Sequence, residues 1–431
     1  MNRRILTTDV ASRFAGIVGP QGVVLDPAGM APYLKDWRGK FLGSAVAVFR
    51  PASTAEAASV VRLARGLGLA IVPQGGNTGL AGGAIPDRST QQIVVAFERM
   101  NRIRDLDVVD NVIIAEAGCI LRTAQDRAAE AGRLLPVSIA SEGSAHIGGI
   151  VATNAGGVNV LRYGTTRQLV LGVEVVLPSG EVLDRLTRLR RDNAGYDLKQ
   201  LFIGCEGTLG LITAASLRLF PRVTQSATAL VQVAQLSAVL ELFVLLNEQL
   251  GDFLSSFELI SAHAYRATVA QLGDTQWPFR DGWAVLIELG VSSPACNLQQ
   301  ALEIALEGAL EREIALDVVI AQNIAQARAL WRVRESLSEG ERALGPSIKH
   351  DVSVPVSRTV KLIDNAERGL ASRFPGVRLN IFGHVGDGNI HLNVIHTTQQ
   401  AADDPSFERQ VTNFVHDLVA EEGGVSPQSM G

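Results

Sequence analysis

The spacing of apolar positions changes once along the chain, and that change divides it in two. Up to about residue 222, short apolar runs alternate with brief helical patterns and clusters of glycine. Val46 to Phe49 reads as a strand. Ser53 followed by Glu56 has the spacing of a capping box, and Ala57, Val60, Val61 and Ala64 then fall on one face of a helix over about 54–67. Leu69 to Val72 is a short buried strand that runs into PQGGNTGLAGG, residues 73–83. The runs 169–177 and 181–183 flank Pro178-Ser179-Gly180, a hairpin signal. Beyond about 226, glycine thins out and apolar residues recur with helical spacing over 233–250, 297–311 and 322–343. The expected organisation is an N-terminal helical arm (1–45), a glycine-rich domain (46–222) and a second α+β domain (223–431).

Composition narrows the class. Hydrophobic residues make up 47% of 431 positions, enough for large cores, so disorder is excluded. Lys and Arg total 39 against 44 Asp and Glu, which offers no basic surface for nucleic acid, and no nucleic-acid partner is expected. Cys119, Cys205 and Cys296 lie far apart in sequence, which rules out a disulfide scaffold and a CxxC knuckle. The most apolar stretch, Leu236 to Leu246, is interrupted by Glu241 and falls short of the roughly 20 residues a membrane span needs. The first residues carry arginines but no sustained apolar run, so no secretory signal is read and a cytoplasmic protein is expected.

Glycine is clustered in three loops: 73–83, 143–164 and 204–210. Five glycines in the nine positions 75–83 cannot form a regular element. Such loops beside strands turn backbone N–H groups toward anions, and three in one domain suit a long dinucleotide. Neither GxGxxG nor GxxxxGK[ST] occurs, so the Rossmann and P-loop explanations fail on their own motifs. The segments Pro73-Gln-Gly-Gly-Asn-Thr-Gly79, GSAHIGGIVATNAGG, LGVEVVLPSGEVL and Gly204-Cys-Glu-Gly-Thr-Leu-Gly-Leu-Ile212 resemble the FAD domain of the vanillyl-alcohol-oxidase superfamily. Over about 40–424, the chain resembles the superfamily's FAD-linked D-2-hydroxyacid dehydrogenases: D-2-hydroxyglutarate dehydrogenase, D-lactate dehydrogenase and the glycolate oxidase D subunit.

The resemblance implies a two-subdomain FAD-binding domain of PCMH type, followed by an α+β substrate or cap domain with an antiparallel sheet. Its FAD contacts would begin at Pro73, with Gly75, Gly76, Asn77, Thr78 and Gly79 at the pyrophosphate. Pro136, Ser138, Gly143, Ser144, Gly148, Gly149, Thr153 and Asn154 would line the flavin and ribityl chain, and Gly207 and Ile212 would sit at the adenine or flavin end. Asn77 stands where covalently flavinylated members carry histidine, so non-covalent FAD is expected.

The most chemically loaded stretch of the second domain is Gly383-His-Val-Gly-Asp-Gly-Asn-Ile-His391. Taking Asp387-Gly388 as a two-residue type I′ turn pairs Gly386 with Asn389 and sets His384 opposite His391, with Cβ atoms about 4.5–5.5 Å apart. Two imidazoles so placed could share a divalent ion, and the resemblance makes them metal ligands, zinc foremost. Arg334 and Ser338 are four apart on the helical pattern, Lys349 lies in a strand-like run (347–354), and Asn393 shares a strand face with His391. The resemblance assigns Arg334, Ser338 and Lys349 to substrate carboxylates, with Asn393 as a further polar contact.

The implied reaction is oxidation of a D-2-hydroxyacid, D-2-hydroxyglutarate before D-lactate or glycolate. The C2 hydride would pass to flavin N5 and the electrons to a non-NAD acceptor such as an electron-transfer flavoprotein or a quinone. A homodimer is compatible with this reading.

The family pattern breaks after Ala420-Glu-Glu-Gly-Gly424. There the family supplies a metal-binding Glu and a His that acts as base; here Ser429 and Met430 stand at those positions. No catalytic base is therefore expected at that point, and the metal would lack its third ligand. The sequence leads to the expectation that fold and FAD binding survive while metal affinity and turnover fall, the extreme case being a non-catalytic flavoprotein subunit.

Overall fold

A computed structural model describes residues 8–87, 91–273, 277–279 and 281–426. Contacts divide the chain into two units, residues 1–157 with 163–222 and residues 158–162 with 223–431.

In the first unit, α1 (Thr8–Val18) does not stand apart as an arm. Phe14 is fully buried and stacks on Phe49 at 4.1 Å between ring centroids. After it, β1 (Val23–Val24) pairs antiparallel with β2 (Ala47–Phe49). Helix α2 (Thr54–Gly66) starts where the sequence predicts, because Ser53 Oγ accepts from the Glu56 N–H at 3.2 Å and Glu56 accepts from the Ala52 N–H at 2.8 Å. Its Ala57, Val60, Val61 and Ala64 cover a four-stranded sheet that β3 (Ala70–Gln74) and β4 (Gln92–Ala96) complete in the order β1-β2-β4-β3.

A second, antiparallel sheet follows. It contains β5 (Ile103–Asp107), β6 (Val112–Glu116), β7 (Val170–Val176), β8 (Val182–Arg185) and β9 (Leu211–Arg218) in the order β5-β6-β9-β7-β8. Helices α3 (Leu121–Glu130) and α4 (Ile147–Ala152) close its core.

The second unit is built on one eight-stranded sheet. Its long strands are β10 (Gln225–Val233), β11 (Leu254–Ser261) and β12 (Trp283–Val291). The others are β13 (Asp317–Ile320), β14 (Ser347–Ile348), β15 (Asp351–Ser353), β16 (Arg378–His384) and β17 (Asn389–Ile395). The order is β13-β10-β12-β11-β16-β17-β14, with β15 also on β17, and every pairing is antiparallel.

Alternation sorts the side chains. Val231, Ile287, Leu259, Ile381 and Leu392 point into one core, closed by α5 (Ser237–Leu250), α7 (Leu298–Glu311), α10 (Thr359–Arg373) and α11 (Phe407–Glu421). Leu230, Leu286, Ile260 and Phe382 face the other way, under α6 (Ala262–Leu272) and α8 (Ile324–Glu335). Glu258, Glu288, Asn380, His384, His391 and Asn393 share that second face. The α+β class expected from the sequence is the observed one.

Two elements are shorter than the sequence predicts. The helix expected over 322–343 breaks at Ser336 into α8 and α9 (Leu337–Gly340), then a 3-10 turn over Glu341–Leu344. The strand expected over 347–354 splits into β14 and β15 around His350, which is fully buried and donates its N–H to Asn393 Oδ1 at 3.3 Å. Among the described residues, no helix is long and apolar enough to cross a membrane.

Candidate active site

In the first unit the three glycine loops meet. A Cβ added to Gly76 would lie 1.9 Å from the carbonyl oxygen of Ser144, and one on Gly207 would lie 2.2 Å from Pro73 Cγ. Gly207 also has φ +81°, which a side chain rarely tolerates. The 73–79 loop therefore abuts both other loops at glycines, Gly76 against the Ser144 backbone and the Pro73 ring against Gly207. Asn77, itself at φ 52°, donates to the carbonyls of Lys35 (2.9 Å) and Pro32 (3.3 Å), which pins the loop. Thr78 is half-buried and Gly79 exposed.

Across from Gly75, His146 comes within 3.3 Å of the position a Cβ would take, and its Nδ1 is buried with no hydrogen-bond partner. Gly148 packs on Ala117, and Gly149 accepts from Thr153 Oγ1 at 2.9 Å. Asn154 accepts from the Arg167 N–H at 2.9 Å. Pro136 is buried, and the Ser138 carbonyl lies under Gly157. Gly143 and Ser144 are exposed. Ile212 is only 5% exposed and belongs to the core of the second sheet, so its side chain packs rather than lines. A backbone-walled cradle with an orphaned imidazole nitrogen fits a dinucleotide, and the residues that would hold FAD are those of the three loops.

In the second unit the hairpin carrying the two histidines differs from its sequence reading. His384 pairs with Asn389 and Phe382 with His391, so the turn spans the four residues 385–388 rather than two. Within the turn, Val385 is 1% exposed in the apolar core and the Gly386 N–H donates to the Phe257 carbonyl at 3.3 Å. The shift is of two positions, so both histidines keep the same face and their rings lie 5.8 Å apart.

What the histidines face is a carboxylate that sequence reasoning did not single out. Glu258, on β11 and 1% exposed, accepts from His384 Nδ1 at 2.5 Å through Oε1. Its Oε2 accepts from Arg334 Nε at 2.7 Å and lies 2.6 Å from Nη2 in the same ion pair. Arg334 is 8% exposed, and its guanidinium lies 5.5 Å from the Phe382 ring centre. Burial works against the Glu258 charge, but Arg334 and His384 outweigh it and hold the carboxyl down at about 2. Burial also opposes the His384 imidazolium, and Glu258 reverses that and raises it. A single charge inside the apolar run LSSFELIS was the available signal.

A second buried carboxylate organises the other predicted contacts. Glu341 is 2% exposed, and its Oε2 accepts from Asn393 Nδ2 (2.6 Å) and Asn380 Nδ2 (2.8 Å). Its Oε1 accepts from Ser347 Oγ (2.6 Å) and faces Lys349 Nζ (3.4 Å). Asn393 is itself buried, with its amide nitrogen on Glu341 and its oxygen on the His350 N–H. Ser338 is exposed on α9, past the break at Ser336, whereas Arg334 is buried on α8, so the two do not continue one helical face.

The expectation of a divalent metal on His384 and His391 does not fit this donor set. Among the described residues no three His, Cys, Asp or Glu side chains cluster to hold an ion. A catalytic zinc takes three protein ligands, and the nearest carboxylate, Glu258, is spent on Arg334 and His384. Ser429 and Met430 lie outside the described residues.

Comparison with known proteins matches residues 45–185 to the FAD binding domain and residues 223–427 to the C-terminal domain of FAD linked oxidases. A probable mitochondrial D-2-hydroxyglutarate dehydrogenase of Oryza sativa subsp. indica is 35% identical, over 97% of this chain and 74% of its own. A putative mitochondrial D-lactate dehydrogenase of Schizosaccharomyces pombe is 36% identical, over 88% of this chain and 75% of its own. The crystal structure of p-cresol methylhydroxylase with substrate bound shares the fold, with a TM-score of 0.75 at 17% identity over 97% of this chain and 88% of that one. Both named relatives are mitochondrial, so they lend the cytoplasmic expectation no support. Two domain matches in the order the sequence predicts, on a PCMH-type fold whose glycine loops converge, lead to one conclusion: the chain belongs to the FAD-linked D-2-hydroxyacid dehydrogenase family and is similar to its D-2-hydroxyglutarate dehydrogenases.

Proposed function

We propose that this protein oxidises a D-2-hydroxyacid to the 2-oxoacid with FAD as hydride acceptor, D-2-hydroxyglutarate and D-lactate being the first substrates to test. The observation that carries the reading is Arg334, a buried guanidinium on the same face as two histidines, with Nη1 not hydrogen-bonded to any described residue. Glu258 occupies Nε and Nη2, which fixes the plane of the fork and leaves Nη1 for the substrate's C1 carboxylate. The same Glu258 accepts from His384 Nδ1, so in the neutral ring Nε2 is the acceptor and the group to which the substrate hydroxyl donates, and the imidazolium that results is the form Glu258 favours. Lys349, held at Glu341, is the cation for a second carboxylate. Bound FAD supplies the site that takes the C2 hydrogen as hydride. No step is assigned to a metal. Electrons leave to an acceptor other than NAD, for which an electron-transfer flavoprotein or a quinone is the reading.

The test is anaerobic addition of D-2-hydroxyglutarate, D-lactate and their L-enantiomers to FAD-loaded protein. Bleaching of the visible flavin band by a D-acid and not by its L-form supports the reading. A flavin that stays oxidised with every D-2-hydroxyacid refutes it.

A further inference from the structure

The cationic side chains of the second unit that would meet substrate carboxylates each have a buried anion of their own. For Arg334 that partner is Glu258, which also holds His384. For Lys349 it is Glu341, and the asymmetry between the two cations is informative. Arg334 is almost fully buried and bound through two nitrogens. The Lys349 side chain is 35% exposed and meets Glu341 at 3.4 Å, a looser contact that an incoming anion can compete for. Glu341 does not depend on that contact. Asn380, Asn393 and Ser347 all donate to it at 2.6–2.8 Å, so its charge is stabilised by neutral donors whether or not Lys349 is present. A buried carboxylate fixed by three neutral donors and set beside a partly exposed ammonium acts on that ammonium.

We propose that Glu341 is a specificity-determining residue that acts through Lys349. By partly neutralising the ammonium, it sets how strongly the site holds a second substrate carboxylate, and so the ratio in which two-carboxylate and one-carboxylate D-2-hydroxyacids are used. The proposal rests on the reading of this site as a D-2-hydroxyacid site with Lys349 as the second cation. A distal carboxylate must draw Lys349 away from Glu341 and then sit near that fixed negative charge. A substrate without one, such as D-lactate, leaves the pair untouched.

Glu341→Gln isolates the charge. The carboxamide oxygen still accepts from Asn380 and Asn393, its NH2 donates to the Ser347 hydroxyl, and only the ion pair with Lys349 is lost. The expected result is a rise of about tenfold or more in kcat/KM for D-2-hydroxyglutarate relative to D-lactate, carried by KM, the equivalent of about 1.4 kcal/mol. Lys349→Met placed on top of Glu341→Gln should abolish that rise. Glu341→Asp, which keeps the charge but withdraws it by one methylene, should move the ratio the same way by less, and it serves where the glutamine variant does not load FAD. A ratio unchanged within about twofold in a variant with normal FAD content overturns the proposal, as does a gain that survives loss of Lys349. If no D-2-hydroxyacid bleaches the flavin in the unmodified protein, the underlying reading fails instead, and the two failures are distinct.

Discussion

Glu258→Gln is the most direct test of the site's electrostatic frame. Glu258 and Arg334 are 1% and 8% exposed and form an ion pair with a hydrogen bond of 2.7 Å and a second N–O separation of 2.6 Å. Removing one partner of such a pair leaves an uncompensated buried charge, at a cost of about 3–5 kcal/mol. Glutamine keeps the shape and one acceptor oxygen, so the lower end, about 3 kcal/mol, applies. A domain of this size loses about 2–4 °C of melting temperature per kcal/mol, which gives a fall of about 6–12 °C. Calorimetry of the flavin-free protein near neutral pH measures it, and added salt should change the result little because the pair is buried.

The companion variants are Arg334→Met and the double change. Since each single change strands the other charge, the double should be less destabilised than the sum, with a coupling of about 2 kcal/mol or more. A drop below about 2 °C for Glu258→Gln, or strict additivity in the double, would refute the claim that this pair is a buried mutual dependence.

Three further outcomes follow from single positions. Gly76→Ala places a methyl 1.9 Å from the Ser144 carbonyl, so the loops must part and the purified variant should carry little FAD by its visible absorbance, while the unloaded second unit melts as before. Burial pushes the Glu288 carboxyl up from 4.5 to about 7, the nearby Trp331 indole opposing it. The raised value means that stability is complete below the ordinary carboxylate range and is lost as pH rises toward 7, by about 3 kcal/mol. Glu288→Gln should therefore flatten the melting temperature between about pH 4.5 and pH 8 and melt higher at the alkaline end. Arg334→Lys keeps the charge but cannot reach Glu258 and a carboxylate together; kcat/KM for the D-acid should fall roughly a hundredfold, while a loss of under fivefold would remove Arg334 from the substrate's path.

What could be read from the sequence depended on whether the physical demand was local. The glycine loops were legible because the demand falls on the residue itself: only glycine allows Gly76 its approach to Ser144 and Gly207 its positive φ beside Pro73. The shared face of His384 and His391 was legible too, since strand parity survives a register error of two. The register itself was not legible, because the turn is tied to a strand distant in sequence, the Gly386 N–H donating to the Phe257 carbonyl. The splitting of the 347–354 strand around His350 is likewise non-local: its N–H donates to Asn393 Oδ1, and its ring is buried against the Leu392 carbonyl and the Thr412 hydroxyl, 42 and 62 residues away.

Glu258 and Glu341 escaped for a sharper reason. The partners of Glu258 lie 76 and 126 residues away, and the two amides on Glu341 lie 39 and 52 away, so no spacing rule connects them. Yet a buried carboxylate costs several kcal/mol unless it is paired. A lone acid within an apolar strand such as LSSFELIS must therefore have a cationic or donor partner somewhere in the fold. Searching for the partners of such misplaced acids, rather than for the cations expected to bind substrate, would have found this site's organising residues first. The cations are the residues a substrate would draw attention to, while the anions that aim them are buried, Glu258 in β11 and Glu341 at the start of a 3-10 turn.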